Sequence, residues 1–388
     1  MDLPLSENRE ALKAAIEKIC ARFGDDYWLK KDREGGFPED FYRAFADDGW
    51  LGICIPGEFG GSGLGISEAA VMMRAISESG AGLSGASALH MNIFGLNPVV
   101  VFGTPEQKKR MLPSLAAGKD KACFAVTEPD AGLDTLKLNT TAVREGDRYI
   151  LSGQKIWIST AQVANKMLIL ARTTPADKVR KKTEGLSLFY TELDRRFIEV
   201  REIEKMGRKA VDSNQLFIDK LPVPAADRIG EEGNGFECII HGFNPERILI
   251  AAEAIGLGHA ALRRAANYAK ERIVFDRPIG MNQAIQHPLA KCWMELEAAN
   301  LMVLHAAALY DRKQPCGAEA NAAKYLAAEA AFTACETAIL SHGGMGYAKE
   351  YHVERYLRES LILRLAPVSR EMILNYVAEK VLNLPKSY

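Results

Sequence analysis

The residue types that could do chemistry lie in short, separated stretches of this sequence, and most familiar arrangements fail on spacing or context. Ser152-Gly153-Gln154-Lys155 has the spacing of a serine nucleophile and its lysine, but it sits in a strand-turn-strand run and opens no helix. Gly256-Leu257-Gly258-His259-Ala260-Ala261 fits a loose dinucleotide fingerprint. That fingerprint needs a preceding strand and a βαβ unit, whereas both flanks here read as helix, so the glycines are assigned to close helix packing. No HExxH, EF-hand or Cys/His zinc spacing occurs, and no dedicated metal site is expected. Asn244-Pro245-Glu246-Arg247 places a carboxylate where the pattern suggests a helix start. Asn244 would cap, Pro245 would occupy the first turn, and an acid there complements the helix dipole.

The elements around these stretches fall into three segments: a mainly α chain with a β-rich middle. Residues 1–120 read as helical, with Leu12, Ile16, Ile19 and Phe23 at helical spacing and the pattern repeated over Glu68–Ser77. The glycine-rich run from Gly57 to Gly65 between them is a loop by composition. Residues 121–230 change character. Leu138–Val143, Arg148–Leu151, Lys155–Ser159, Met167–Ala171 and Leu186–Thr191 are short and rich in β-branched or aromatic residues, with turns at Glu145-Gly146-Asp147 and Ser152-Gly153. They predict a small, mainly antiparallel sheet or barrel. Residues 231–388 return to helix in long Ala/Leu-rich segments, Ile248–Arg272, Ala284–Arg312, Ala318–Leu340 and Ser369–Leu384, which predict a four-helix bundle.

Composition narrows the function. The chain has 49 Lys plus Arg against 50 Asp plus Glu, so the basic excess of a nucleic-acid binder is missing. The local cluster Lys178, Arg180, Lys181 and Lys182 reads as a solvated loop. Seven cysteines form no CxxC pair and are odd in number, as expected of reduced, buried thiols in a cytoplasmic compartment. The N-terminus lacks a secretory or transit pattern, and no apolar run is expected to span a membrane, since the one from Ile248 is interrupted by Glu253 and His259.

Six stretches, in order and over nearly the whole chain, resemble the acyl-CoA dehydrogenase family. They are Gly49-Trp50-Leu51-Gly52-Ile53 with Pro56; Phe102 to Lys108; Ala125-Val126-Thr127-Glu128-Pro129-Asp130-Ala131-Gly132; Lys155-Ile156-Trp157-Ile158-Ser159; Arg272 through Gln283; and Gly343-Gly344-Met345-Gly346-Tyr347. The resemblance implies the helical-β-helical layout and FAD as cofactor. It implies that Phe124, Val126 and Thr127 line the flavin, that Trp157 packs on the ring, and that Ser159 bonds near its reactive edge. It places Gly343 and Gly344 against the FAD diphosphate, where a Cβ would intrude. Arg272, Phe275 and Gln283 match positions reaching the cofactor of a neighbouring subunit, and a homotetramer is the family habit. Ser369 is also assigned to the cofactor. The implied reaction removes hydrogen from the α and β carbons of an acyl-CoA, with hydride passing to flavin N5 and electrons then to electron-transfer flavoprotein. No side chain can accept a hydride, so the recruitment of a flavin is chemically coherent.

The family also needs a base for the α proton. Many members place a glutamate where this chain has Pro367, which cannot take a proton. The isovaleryl-CoA and long-chain types place it instead at a position matching Glu246, with Asn244 and Arg247 then beside the substrate. Glu371 is the rival. Two departures stand out: Leu133 replaces a serine near the diphosphate, and Pro367 lacks the N–H that in relatives helps polarise the thioester carbonyl. An acyl-CoA oxidase, another flavoprotein acting on a CoA thioester, and a non-catalytic flavin- or nucleic-acid-binding relative are the alternatives.

Overall fold

The computed structural model describes residues 6–94 and 97–387. Helix α1 (Glu7–Cys20) buries Leu12, Ile16 and Ile19 on one stripe, and Glu7 and Glu10 complement its N-terminus. Phe23 lies just beyond it, packed on the same core. Helices α2 (Asp25–Glu34), α3 (Glu39–Asp47), α4 (Ile66–Ile76), α5 (Gly82–Phe94), α6 (Asn97–Phe102) and α7 (Pro105–Ala116) follow. The start of α7 is set by a capping box, in which Thr104 Oγ1 accepts from Gln107 N and Gln107 Oε1 accepts from Thr104 N, with Pro105 in the first turn.

The middle segment is an eight-stranded sheet ordered β6-β7-β3-β2-β4-β5-β8, with β1 pairing β4 in parallel. Its strands are β1 (Ala122–Ala125), β2 (Thr141–Glu145), β3 (Arg148–Ser159), β4 (Lys166–Arg172), β5 (Leu186–Glu192), β6 (Ile198–Glu202), β7 (Ser213–Pro224) and β8 (Arg228–Ile229). Ser152-Gly153 is not the turn the composition suggested: β3 runs straight through it with a shift in register against β7. The segment Leu138–Val143 also differs from expectation, since only its end enters β2. The basic cluster at 178–182 is a loop between β4 and β5.

The C-terminal segment opens with α8 (Gly235–Glu271), which packs against α9 (Gln283–Asp311) and α10 (Gly317–His342). A hairpin of β9 (Ile273–Val274) and β10 (Arg277–Pro278) joins the first two. Short helices α11 (Val353–Ser360), α12 (Ile362–Leu365) and α13 (Arg370–Tyr376) follow, and α13 continues as a π-helical turn over Val377–Val381, so the helix expected over 369–384 forms and ends at Val381. Alanines of α8, α9 and α10 interleave in one core shared with α4 and α5. Gly256 belongs to this packing, since a Cβ there would meet the Arg74 carbonyl oxygen at 2.3 Å. Contrary to expectation, the segment containing α4, α5 and α6 is long and apolar enough to cross a membrane, yet 67% of its most apolar part is buried in the protein. That burial marks it as core. The seven cysteines are free thiols, and all but Cys54 are buried.

Candidate active site

The β side of the site is built around a lysine buried completely inside the sheet. Lys155 Nζ donates to the carbonyls of Val126 at 3.1 Å and Leu170 at 2.7 Å, and to Glu128 Oε1 at 2.9 Å. Glu128 in turn accepts from the backbone N–H groups of Asn139 and Thr140. Burial pushes the Lys155 ammonium down to about 8, although Glu128 pulls the other way. The Glu128 carboxyl is held below its usual range: burial opposes this, but Lys155 and the two N–H donors prevail. Together with Ile156 N donating to Thr127 O at 2.9 Å, these bonds lock the 126–128 segment to β3.

That lock displays Trp157. The residue sits at a register shift in β3 with a left-handed backbone, φ 62°, and its side chain is 57% exposed. A bulky residue in this region is an outlier costing about 1–3 kcal/mol. The distortion turns a large aromatic face outward beside Thr127 and the half-buried Ser159. Phe124, half-buried on β1, bridges the sheet and helical cores. Leu133 is 55% exposed after the same segment. Elsewhere, Gly343 terminates α10 at φ 59°, ψ −134°, a conformation suited to glycine alone. A Cβ added at Gly343 or Gly344 would meet no heavy atom within 4 Å, so both face open space.

On the helical side Glu246 lies well inside α8. Asn244 is therefore not a helix cap and Pro245 not a first-turn residue: the helix begins about three turns earlier, and Pro245 is accommodated in its interior. The dipole effect expected at Glu246 falls away with that correction, because it is confined to the terminal turn. Burial dominates instead and raises the Glu246 carboxyl to about 7, with His90, Arg247 and Lys324 pulling it down and Glu253 pushing it up. Arg247 Nη1 donates to Asn244 Oδ1 at 3.1 Å, while its Nε is buried without a hydrogen-bond partner. Glu371, the rival carboxylate, is mostly exposed on α13 and pairs with Arg370 at 3.4 Å. The stretch through Pro367 is tied down by Lys324 Nζ donating to Val368 O at 2.7 Å. Ser369 Oγ caps α13 by accepting from Met372 N at 3.3 Å, a structural use for the hydroxyl that had been assigned to the cofactor.

Arg272, Phe275 and Gln283 cluster at the β9–β10 hairpin and the start of α9, all exposed. Phe275 is 94% exposed at the hairpin tip, where it and Asp276 both have positive φ. Sequence reasoning missed His90 and Glu253, a buried pair joined at 2.6 Å between α5 and α8. The available signal was a charge inside the apolar run Ala251-Ala252-Glu253-Ala254-Ile255, because a buried charge requires a partner.

Three domain descriptions match this chain in order: "Acyl-CoA dehydrogenase, N-terminal domain" over residues 6–119, "middle domain" over 123–221 and "C-terminal domain" over 233–382. Acyl-CoA dehydrogenase FadE12 of Mycobacterium tuberculosis is 39% identical over 99% of this chain and 98% of its own length. The caffeyl-CoA reductase-Etf complex subunit CarC of Acetobacterium woodii is 35% identical over 86% and 87%. A solved glutaryl-coenzyme A dehydrogenase–glutaryl-CoA complex superposes with a TM-score of 0.92 at 31% identity, over 100% of this chain and 98% of that one. The protein is a flavin-dependent oxidoreductase. It belongs to the acyl-CoA dehydrogenase family, and FAD is the cofactor of that family. The open glycines at 343–344 and the outward-facing Trp157 fit such a group.

Proposed function

We propose that this enzyme removes the α and β hydrogens of an acyl-CoA thioester to give the trans-2-enoyl-CoA, with Glu246 as the base. The observation that carries the reading is Glu246 itself. It is a half-buried carboxylate in the interior of α8, raised to about 7, whereas Glu371 is exposed. A base poised near neutral pH combines a useful ionised fraction with enough proton affinity to act on an α carbon. Glu246 takes the α proton at its carboxylate, and Asn244 and Arg247 orient the substrate from the adjoining turn. FAD, when bound, supplies the acceptor for the β hydrogen and its electron pair. Phe124, Val126, Thr127, Trp157, Ser159, Gly343 and Gly344 hold and shield it, with Ser369 contributing from the α13 cap. Lys155 and Glu128 fix the 126–128 segment in place.

Two assembly proposals accompany this. Electron-transfer flavoprotein is the acceptor, supported by the similarity to a subunit named as part of an Etf complex. The enzyme is a homotetramer in which Arg272, Phe275 and Gln283 reach a neighbour's FAD, supported by the exposure of all three.

The test is anaerobic titration of the FAD-loaded enzyme with short, medium, long and branched acyl-CoAs. Bleaching of the flavin by at least one saturated member supports dehydrogenation. No bleaching by any of them contradicts it. Rapid peroxide release in air, with no transfer to electron-transfer flavoprotein, would make the enzyme an oxidase.

A further inference from the structure

The α5–α8 interface holds more ionisable groups than a base alone requires. Glu253 lies seven residues after Glu246 on α8, about two turns on and therefore on the same face. It is fully buried, and its Oε1 lies 2.6 Å from Nδ1 of His90 on α5, a residue only 5% exposed. One turn back on α5, Ser87 Oγ accepts from Arg208 Nη1 at 2.9 Å. Arg208 comes from the loop between β6 and β7 and also faces Glu253, Glu359 and Asp212. The half-buried proposed base thus lies on the same helix face as a buried histidine–carboxylate pair anchored from three parts of the chain.

We propose that His90 and Glu253 form a positioning pair for Glu246: Glu253 holds the His90 ring as an imidazolium, and that cation keeps the neighbouring Glu246 carboxylate ionised inside the protein. The proposal rests on the reading of Glu246 as the base. Without a counter-charge, burial would drive a carboxylate toward its neutral, useless form. His90 is the strongest favourable charge acting on Glu246, ahead of Arg247 on α8 and Lys324 on α10. Lys324 is itself pushed down to about 8 by burial and is engaged with Val368 O, which weakens it as a substitute. Burial and Arg208 oppose the imidazolium, but Glu253, in direct contact, and Glu246 outweigh them and raise the ring's proton affinity. Glu359 on α11 is consumed by Leu83 N, Ser84 and Arg355. Arg74 on α4 and Glu297 on α9 pair with each other, and with Glu78 and His259.

The experiment measures the rate of anaerobic flavin reduction from pH 5.5 to 9, with the acyl-CoA that reduces the parent holoenzyme fastest. The variants are His90→Gln, Glu253→Gln and Glu246→Gln, each checked for bound flavin and melting temperature. Loss of the imidazolium should move the acid limb of His90→Gln upward by about one pH unit. Its rate would then fall about tenfold below the limb and recover toward the parental rate at pH 9. Glu253→Gln should move the limb the same way but less, since it removes a nearby negative charge as well as the ring's counter-ion. Should His90→Gln fail to fold, the direction of the Glu253→Gln shift decides. A rate reduced equally at all pH values, or a limb that stays put or moves down, overturns the proposal and leaves the pair purely structural. Glu246→Gln separates the two readings. If it is inactive at every pH while the limb of His90→Gln is unmoved, only the positioning role fails. If it reduces flavin with the parental limb, the base lies elsewhere and both fail.

Discussion

The Lys155–Glu128 and His90–Glu253 ion pairs, both buried, differ in how completely they are satisfied. In the sheet, Lys155 spends its ammonium on three acceptors and Glu128 accepts two backbone N–H groups besides. In the helical layer, Glu253 has one oxygen on His90 and the other buried without a hydrogen-bond partner. A fully satisfied network fixes geometry and has little left to give, whereas an incompletely satisfied one remains electrostatically responsive. The first therefore suits holding a loop rigid under a cofactor, and the second suits setting the proton affinity of a neighbouring carboxylate.

The contrast can be broken most forcefully in the sheet. Lys155→Met leaves Glu128 buried and unpaired, and breaking a buried pair this way costs about 3–5 kcal/mol. The expected outcome is a large drop in melting temperature and loss of yellow colour on gel filtration. A variant that keeps both would show that the lock is dispensable. A smaller effect is expected from packing alone. Gly256→Val places branched carbon against the Arg74 carbonyl, where even a Cβ would sit at 2.3 Å, and overpacking of this kind costs about 1–3 kcal/mol. Chemical denaturation of the holoenzyme measures it. The smallest stability effect belongs to Arg272→Ala, an exposed site where about 0.5 kcal/mol or less is expected. There the readout is FAD affinity, which should weaken while melting of the apoprotein is unchanged.

The helical-β-helical order was legible because apolar spacing changes period twice along the chain, and because alanine-rich stretches such as 318–340 can only pack as helix. The roles of Gly256 and Gly258 were legible for the same reason: both flanks are helical. Strands β6 and β7 were not anticipated. β7 contains Asp219, Lys220, Pro222 and Pro224, which weaken a strand signal, and its burial alternates only in part. Pro245 misled because proline is commonest near helix starts, whereas here α8 begins ten residues before it. The family resemblance drew attention to Glu246, but not to the groups that surround it. His90 and Glu253 are 163 residues apart, and neither sits in a recognisable motif. Their pairing is a tertiary fact that local spacing cannot encode.

The most direct test of the account compares anaerobic flavin reduction in Glu246→Gln and Glu371→Gln, side by side with the parent. Glutamine keeps the shape of either side chain but cannot accept a proton. Glu246→Gln should bind FAD and acyl-CoA yet reduce the flavin about 10²–10⁴-fold more slowly. Glu371→Gln should stay close to the parental rate. For the parent, kcat/KM should rise with pH through about 7, since the raised carboxyl must be deprotonated to act. Rapid bleaching by Glu246→Gln, with loss of reduction in Glu371→Gln, would contradict the assignment and move the base to the final helix.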